Sequence, residues 1–139
     1  MKKHAFFTVV LLSILSLQNT LFAQASEKES KIAFMVKDAR MLNGAALSSI
    51  ASLQGQGYAS DEAAIVVIGP AVKELSKNGS LKETVRKALQ SGVKLKACKI
   101  ALDKMQVPEK ELIKGVEVVD NGFFEMFRLQ EKGFMQLNL

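Results

Sequence analysis

Two kinds of apolar segment alternate along the chain after residue 30. Four nearly continuous apolar runs have the length of strands buried on both faces, and they lie at residues 31–36, 63–68, 93–98 and 116–119. Other segments place apolar residues at helical spacing, and they lie at about 40–55, 81–89, 99–105 and 123–132. Strands that alternate with helices predict an α/β fold with a parallel sheet.

The last segment, residues 134–139, has a different pattern. Met135, Leu137 and Leu139 alternate with Gln136 and Asn138, as in a terminal edge strand with one solvated face. With this fifth strand, we predict a small doubly wound, mostly parallel five-stranded sheet. The flavodoxin-like strand order 2-1-3-4-5 is the common solution for a chain of this size.

Two lysines fit poorly into the third strand, which is central in that order. Lys94 and Lys96 point to the same face as Cys98. Either this face is poorly covered near the start of the strand, or the lysine stems extend to a subunit interface.

The amino terminus has the pattern of a signal peptide. Lys2 and Lys3 precede an apolar stretch at residues 5–17, and Ala23-Gln24-Ala25 provides an A-x-A cleavage site. We therefore predict a signal peptide at residues 1–25, cleaved after Ala25 or alternatively after Ala23. The domain at residues 26–139 is then periplasmic or secreted, with no stable membrane anchor after cleavage.

Charge and residue counts exclude several kinds of function. Cleavage removes Lys2, Lys3 and the single histidine, His4, and it lowers the net charge from +5 to +3. So small a charge argues against binding of nucleic acid. Without histidine, Ser-His-Asp catalysis, Cys-His catalysis and histidine-ligated metals are excluded. One cysteine allows no intramolecular disulfide, and the methionines form no Met-x-x-Met cluster, so we predict no metal and no cofactor.

Cys98 is the one residue whose chemistry and place both indicate a function. It closes a predicted strand and opens a helix, and the partial positive charge at a helix start favours the thiolate. In the order 2-1-3-4-5 it also lies at the switch point where ligands bind. Lys99 follows it and Lys37 ends the first strand, so both are candidate thiolate-stabilising residues. The alternative is that Cys98 is a buried core residue.

Three segments of the second half resemble a known family. They are a strand that ends in cysteine (GVKLKAC, 92–98) with a helix through Leu102, a Gly-Val strand (GVEVV, 115–119) followed by Asn121-Gly122, and a helix end (EMFRLQEKG, 125–133). In this order and spacing they are similar to the DsrE/DsrF-like sulfur-relay family, and the similarity extends over residues 31–139. The resemblance implies that Cys98 carries a persulfide and passes sulfane sulfur to a partner. It also implies a homo-oligomer, a homotrimer or a homohexamer.

Two hypotheses of function follow. In the first, the exported protein is a sulfur carrier, sulfurtransferase-like rather than a turnover enzyme. Cys98 then takes up sulfane sulfur from a donor protein and passes it to the thiol of an acceptor protein. In the second, the same fold is a noncatalytic small-molecule-binding or assembly module with Cys98 buried.

Overall fold

The structure, a computed structural model, describes residues 29–139. This part of the chain forms five strands, four α-helices and two short 3-10 helices, the latter at Gly69–Leu75 and Glu109–Glu111. The strands are β1 (Lys31–Val36), β2 (Glu62–Val67), β3 (Lys94–Cys98), β4 (Glu117–Val119) and β5 (Met135–Asn138). The α-helices are α1 (Ala39–Leu53), α2 (Lys82–Gln90), α3 (Lys99–Lys104) and α4 (Gly122–Glu131).

The amino-terminal prediction falls outside this part of the chain. The signal peptide predicted at residues 1–25, with its cleavage site, is not among the described residues. Between residues 29 and 139, no helix is long and apolar enough to cross a membrane.

The α/β class and the five-stranded sheet are confirmed, and every pair of neighbouring strands is parallel. The predicted strand order 2-1-3-4-5 is wrong, because the observed order is β4-β3-β2-β1-β5. The chain steps in one direction from β1 to β4 and then returns past three strands to place β5 beside β1. Hydrophobic periodicity identifies strands and helices but not which strands are neighbours, so it did not distinguish the two orders.

This strand order gives the two faces of the sheet very different cover. Crossovers between parallel strands are right-handed, so α1, α2 and α3, which follow steps in one direction, lie on one face. Their buried residues Leu42, Val85 and Leu102 belong to one large core cluster. The return connection places α4 on the opposite face, where Met126 and Leu129 belong to a second, smaller cluster. Among residues 29–139, α4 is therefore the one helix on this face.

The edge strand β5 lacks the cover that its pattern predicts. Met135 and Leu137 were expected to face the core, yet they are 51% and 54% exposed. They pair with Ile32 and Phe34 of β1, so they lie on the α1 face of the sheet. Helix α1 packs on β1 and β2, and β5 lies outside them. Among residues 29–139, nothing covers the α1 face of β5, whereas Gln136 on the other face donates a hydrogen bond to the carbonyl of Met126 in α4.

Lys94 and Lys96 are explained by acidic partners on the α4 face. Glu62, at the start of β2, binds the ammonium groups of both Lys31, at 2.8 Å, and Lys94. These two hydrogen bonds lower the pKa of Glu62 to about 2. Lys94 is exposed at the start of β3. This agrees with the expectation that this face of the sheet is poorly covered near the start of the strand.

Lys96 is buried instead, and it joins helix α4 to the sheet. Its ammonium lies 2.9 Å from the carboxylate of Glu125 in α4 and 3.0 Å from that of Glu117 in β4. Burial alone would lower the pKa of Lys96, but its hydrogen bonds to the two carboxylates raise it. Burial likewise opposes ionisation of Glu125, and the hydrogen bond from Lys96 keeps the pKa of Glu125 below its ordinary value. Both groups are therefore charged at neutral pH.

The Lys96–Glu125 pair yields a stability prediction. Glu125→Leu should destabilise the fold by about 3 kcal/mol, because it leaves a buried ammonium with only the exposed Glu117 as partner. Lys96→Met combined with Glu125→Leu should recover most of this loss, since no buried charge remains. Urea unfolding of the single and double variants measures the coupling. Additive losses would show that the pair does not hold α4 to the sheet.

Candidate functional site

Cys98 lies where β3 ends and α3 begins. It is the last residue of the strand and the residue before the first turn of α3. Its side chain is on the α4 face, because it lies two positions after Lys96 on β3 and its sulfur contacts the start of α4. The residue is a free cysteine and is 5% exposed. The sulfur is therefore held beneath α4, and it does not lie at the switch point expected from the order 2-1-3-4-5, because β3 lies between β2 and β4.

The first residue of α4 binds the sulfur directly. The backbone N–H of Gly122 donates a hydrogen bond to Sγ of Cys98 over 3.3 Å. Asn121 caps the same helix, and its side-chain oxygen accepts from the N–H groups of Phe123 and Phe124. The N–H groups of the first turn have no acceptor within the helix. The Cys98 sulfur and the Asn121 side chain thus accept hydrogen bonds from three of them.

Glycine at position 122 makes this close approach possible. A Cβ atom there would lie 2.6 Å from Cγ2 of Ile68, 3.2 Å from Cγ1 of Val66 and 3.3 Å from Cβ of Cys98. The first of these distances is shorter than real Cβ contacts, so any larger residue would push the helix start away from β3. The absence of a side chain therefore sets the distance between the helix start and the sulfur.

Helix α4 is fixed over β3 at two points. Gly122 lies on Cys98, and one turn later Glu125 binds Lys96, the residue two positions before Cys98 on the same face of the strand. Arg128 also binds Glu125, at 3.3 Å. The ion pair under the first turn of α4 thereby holds the Gly122 N–H in place against the sulfur.

The two predicted thiolate-stabilising lysines lie less favourably. The ammonium of Lys99 binds the carboxylate of Asp103 one turn along α3, which raises the pKa of Lys99, and Glu109 lies 3.9 Å away. Lys37 is exposed at the end of β1. The expectation that its strand adjoins β3 is wrong, because β2 lies between them and separates the two backbones by about 10 Å. Stabilisation of a Cys98 thiolate by Lys99 stays a prediction.

The arrangement suits a sulfur anion. A backbone N–H and the partial positive charge of a ten-residue helix both point at Sγ of Cys98. Both favour a negative charge on Sγ itself, as in a thiolate. Among residues 29–139, no group of three or more histidine, cysteine, aspartate or glutamate side chains is arranged to hold a metal ion.

Sequence reasoning missed Gly122 and Glu125 as parts of the site. One signal was present: Gly122, Glu125, Met126 and Leu129 follow the helical spacing of a buried stripe, with an acid among them. A buried acid on a helix requires a buried cation, and Lys96 in a central strand requires a buried anion. Matching these two requirements would have placed α4 over β3.

Two solved structures have the same fold. The protein of unknown function MTH1491 from Methanobacterium thermoautotrophicum is 19% identical, with a TM-score of 0.68 over 81% of this chain and 100% of its own. The conserved protein of unknown function BT1422 from Bacteroides thetaiotaomicron is 17% identical, with a TM-score of 0.63 over 79% of this chain and 95% of its own. At these identities the similarity shows the fold alone.

Sequence comparison extends the similarity from the fold to the family. No curated protein matches the chain. The family model for the DsrE/DsrF-like family matches residues 20–139, which include the whole sheet and Cys98. This family suggests a role related to sulfur relay. The chain belongs to the DsrE/DsrF-like family.

Proposed function

We propose that this protein is a sulfur carrier that holds sulfane sulfur as a persulfide on Cys98 and passes it to a partner thiol. The observation that carries the proposal is the hydrogen bond from the Gly122 N–H to Sγ of Cys98 at the start of α4. Membership of the DsrE/DsrF-like family supports it. The proposal retains the export predicted from residues 1–25, so donor and acceptor would be periplasmic or secreted.

Loading requires no external oxidant. The Cys98 thiolate attacks the outer sulfur of a donor persulfide, R–S–SH. The donor S–S bond breaks, a new S–S bond forms on Cys98, and R–S⁻ leaves with the electron pair of the broken bond. In unloading, an acceptor thiolate attacks the outer sulfur on Cys98 and regenerates the Cys98 thiolate. In both steps the anion at Sγ of Cys98 is stabilised by the Gly122 N–H, and Lys99 adds a weaker attraction screened by solvent.

Burial of Cys98 fits a carrier better than a hydrolytic nucleophile. A carrier must keep its persulfide from stray thiols and oxidants, and only 5% of the residue is exposed. The sulfur that is transferred is the outer one, which lies about 2 Å beyond Sγ. In unloading, the acceptor therefore needs to reach only the outer sulfur, whereas in loading the donor persulfide must reach Sγ of Cys98 itself through the small exposed part of the residue.

The same burial favours a second candidate function. A buried free cysteine in contact with Gly122 also suits a small core residue. In that case the protein is a noncatalytic binding or assembly module on this fold. The two candidates differ in whether Cys98 is loaded with sulfur in the folded protein.

Loading is tested with glutathione persulfide as the probe. Mass spectrometry of the intact folded protein should show a gain of about 32 Da, and digestion should place the gain on the peptide that contains Cys98. A reductant should remove the added sulfur. Cys98→Ser should keep the fold, because the two side chains have similar volumes, and should abolish the gain. Folded protein that gains no mass, while the same chain is loaded in urea, would support the binding-module candidate.

The role of Gly122 is tested with an alanine. Gly122→Ala should slow loading about threefold at neutral pH. Losing a hydrogen bond of roughly 1.5 kcal/mol to the anion lowers the thiolate fraction about tenfold, and the more basic thiolate recovers about half of that factor, on a logarithmic scale, as nucleophilicity. The same variant should also destabilise the fold by about 1–3 kcal/mol through overpacking against Ile68.

Gly44→Ala in α1 is the matched control. A Cβ at position 44 meets no atom within 4 Å, so this variant should be as stable as the parent or more so and should load at the parental rate. Equal loading by both alanine variants would contradict the role given to the Gly122 N–H.

A further inference from the structure

The outer edge of β5 carries backbone groups that no residue between 29 and 139 of the same copy satisfies. Leu139 donates its N–H to the carbonyl of Met35 in β1 over 2.8 Å. Backbone groups alternate in direction along a strand, so residues 135, 137 and 139 direct theirs toward β1 and Gln136 and Asn138 direct theirs outward. Two N–H groups and two carbonyls thus form an open ladder at the sheet edge.

β5 lacks the features that keep an exposed edge from pairing. Natural edge strands carry charges, prolines or bulges, or they are very short. The opposite edge strand, β4, is three residues long and carries Glu117. β5 and the residue after it read Met-Gln-Leu-Asn-Leu, with no charge and no proline. On the α1 face, Met135 and Leu137 are more than half exposed beside an apolar groove of about 540 Å³.

We propose that β5 pairs antiparallel with β5 of a second copy of this chain, around a two-fold axis at Leu137. In this register Gln136 of each copy exchanges hydrogen bonds with Asn138 of the other copy, which satisfies all four outward groups on each strand. The result is a continuous ten-stranded sheet.

The residue pattern of β5 indicates a second copy and not an unrelated strand. Around Leu137 the segment is symmetric in residue type: amides at 136 and 138, apolar residues at 135 and 139. Self-pairing therefore places leucine against leucine and Met135 against Leu139 on the α1 face, and amide against amide on the other face. No like charges meet, and directly opposed side chains of these kinds stabilise a strand pair.

The proposal distinguishes between the two oligomers expected from the sequence. A cyclic trimer has no two-fold axis, whereas a hexamer of two stacked trimers has three. Pairing through β5 is thus compatible with the homohexamer, or with a simple dimer, and incompatible with an isolated homotrimer. It is independent of the chemistry proposed for Cys98.

Disulfide trapping tests the register. Two residues paired across the two-fold at a non-hydrogen-bonded position have Cβ atoms about 5 Å apart. In a Cys98→Ser background, Leu137→Cys should therefore form a covalent dimer on mild oxidation. Phe127→Cys is the control, because this exposed residue lies on α4 and not on the edge. Absence of a dimer from Leu137→Cys, or equal yields at both positions, would overturn the proposal.

A second pair of variants keeps Cys98 and tests the backbone ladder. Asn138→Pro removes an outward N–H without removing a bond to β1, and edge strands tolerate proline. Sedimentation velocity at micromolar concentration should show a self-association weakened about tenfold, since two ladder bonds are lost per dimer. Asn138→Ala keeps the N–H and loses only the amide pairing, so it should associate less tightly than the parent but more tightly than Asn138→Pro. Equal self-association of the two variants would also overturn the proposal. So would a parent protein that stays monomeric, including one whose β5 binds only a strand of a different protein.

Discussion

The return of the chain from β4 to β5 is the constraint on which the rest of the structure depends. Each of the first three crossovers advances the sheet by one strand, and the fourth goes back past three strands. Because parallel crossovers are right-handed, this reversal places α4, alone among the described helices, on one face. That face also carries the charged residues Glu62, Lys94, Lys96 and Glu117, so α4 must cover polar as well as apolar positions. Glu125 makes this possible by binding Lys96.

The same connection determines the environment of Cys98. A helix laid over the middle of the sheet begins above the carboxyl ends of the strands, and Gly122 brings that beginning into contact with the sulfur. β5, the strand that follows α4, lies at the edge of the sheet away from Cys98, and its α1 face is uncovered. The candidate sulfur site and the open edge of β5 therefore have one origin in the topology.

Much of the fold could be predicted from local pattern. The strand at 31–36, the cap at Asn121 and the α/β class follow from periodicity and capping, which are properties of neighbouring residues. Strand order and the cover of β5 depend on contacts between distant segments, which periodicity does not encode. Cys98 was identified because its own chemistry is unusual. Gly122 was not identified as part of the site, because its role is to be small at one point of contact.

The central claim is that Cys98 is a working thiol in the folded protein, held by the start of α4. Alkylation of the native protein at neutral pH, followed by mass spectrometry, tests it most directly. We predict complete modification at Cys98 under conditions in which circular dichroism and sedimentation show the fold to be intact. Modification that appears only when urea unfolds the chain would contradict the account and identify Cys98 as a packed core residue.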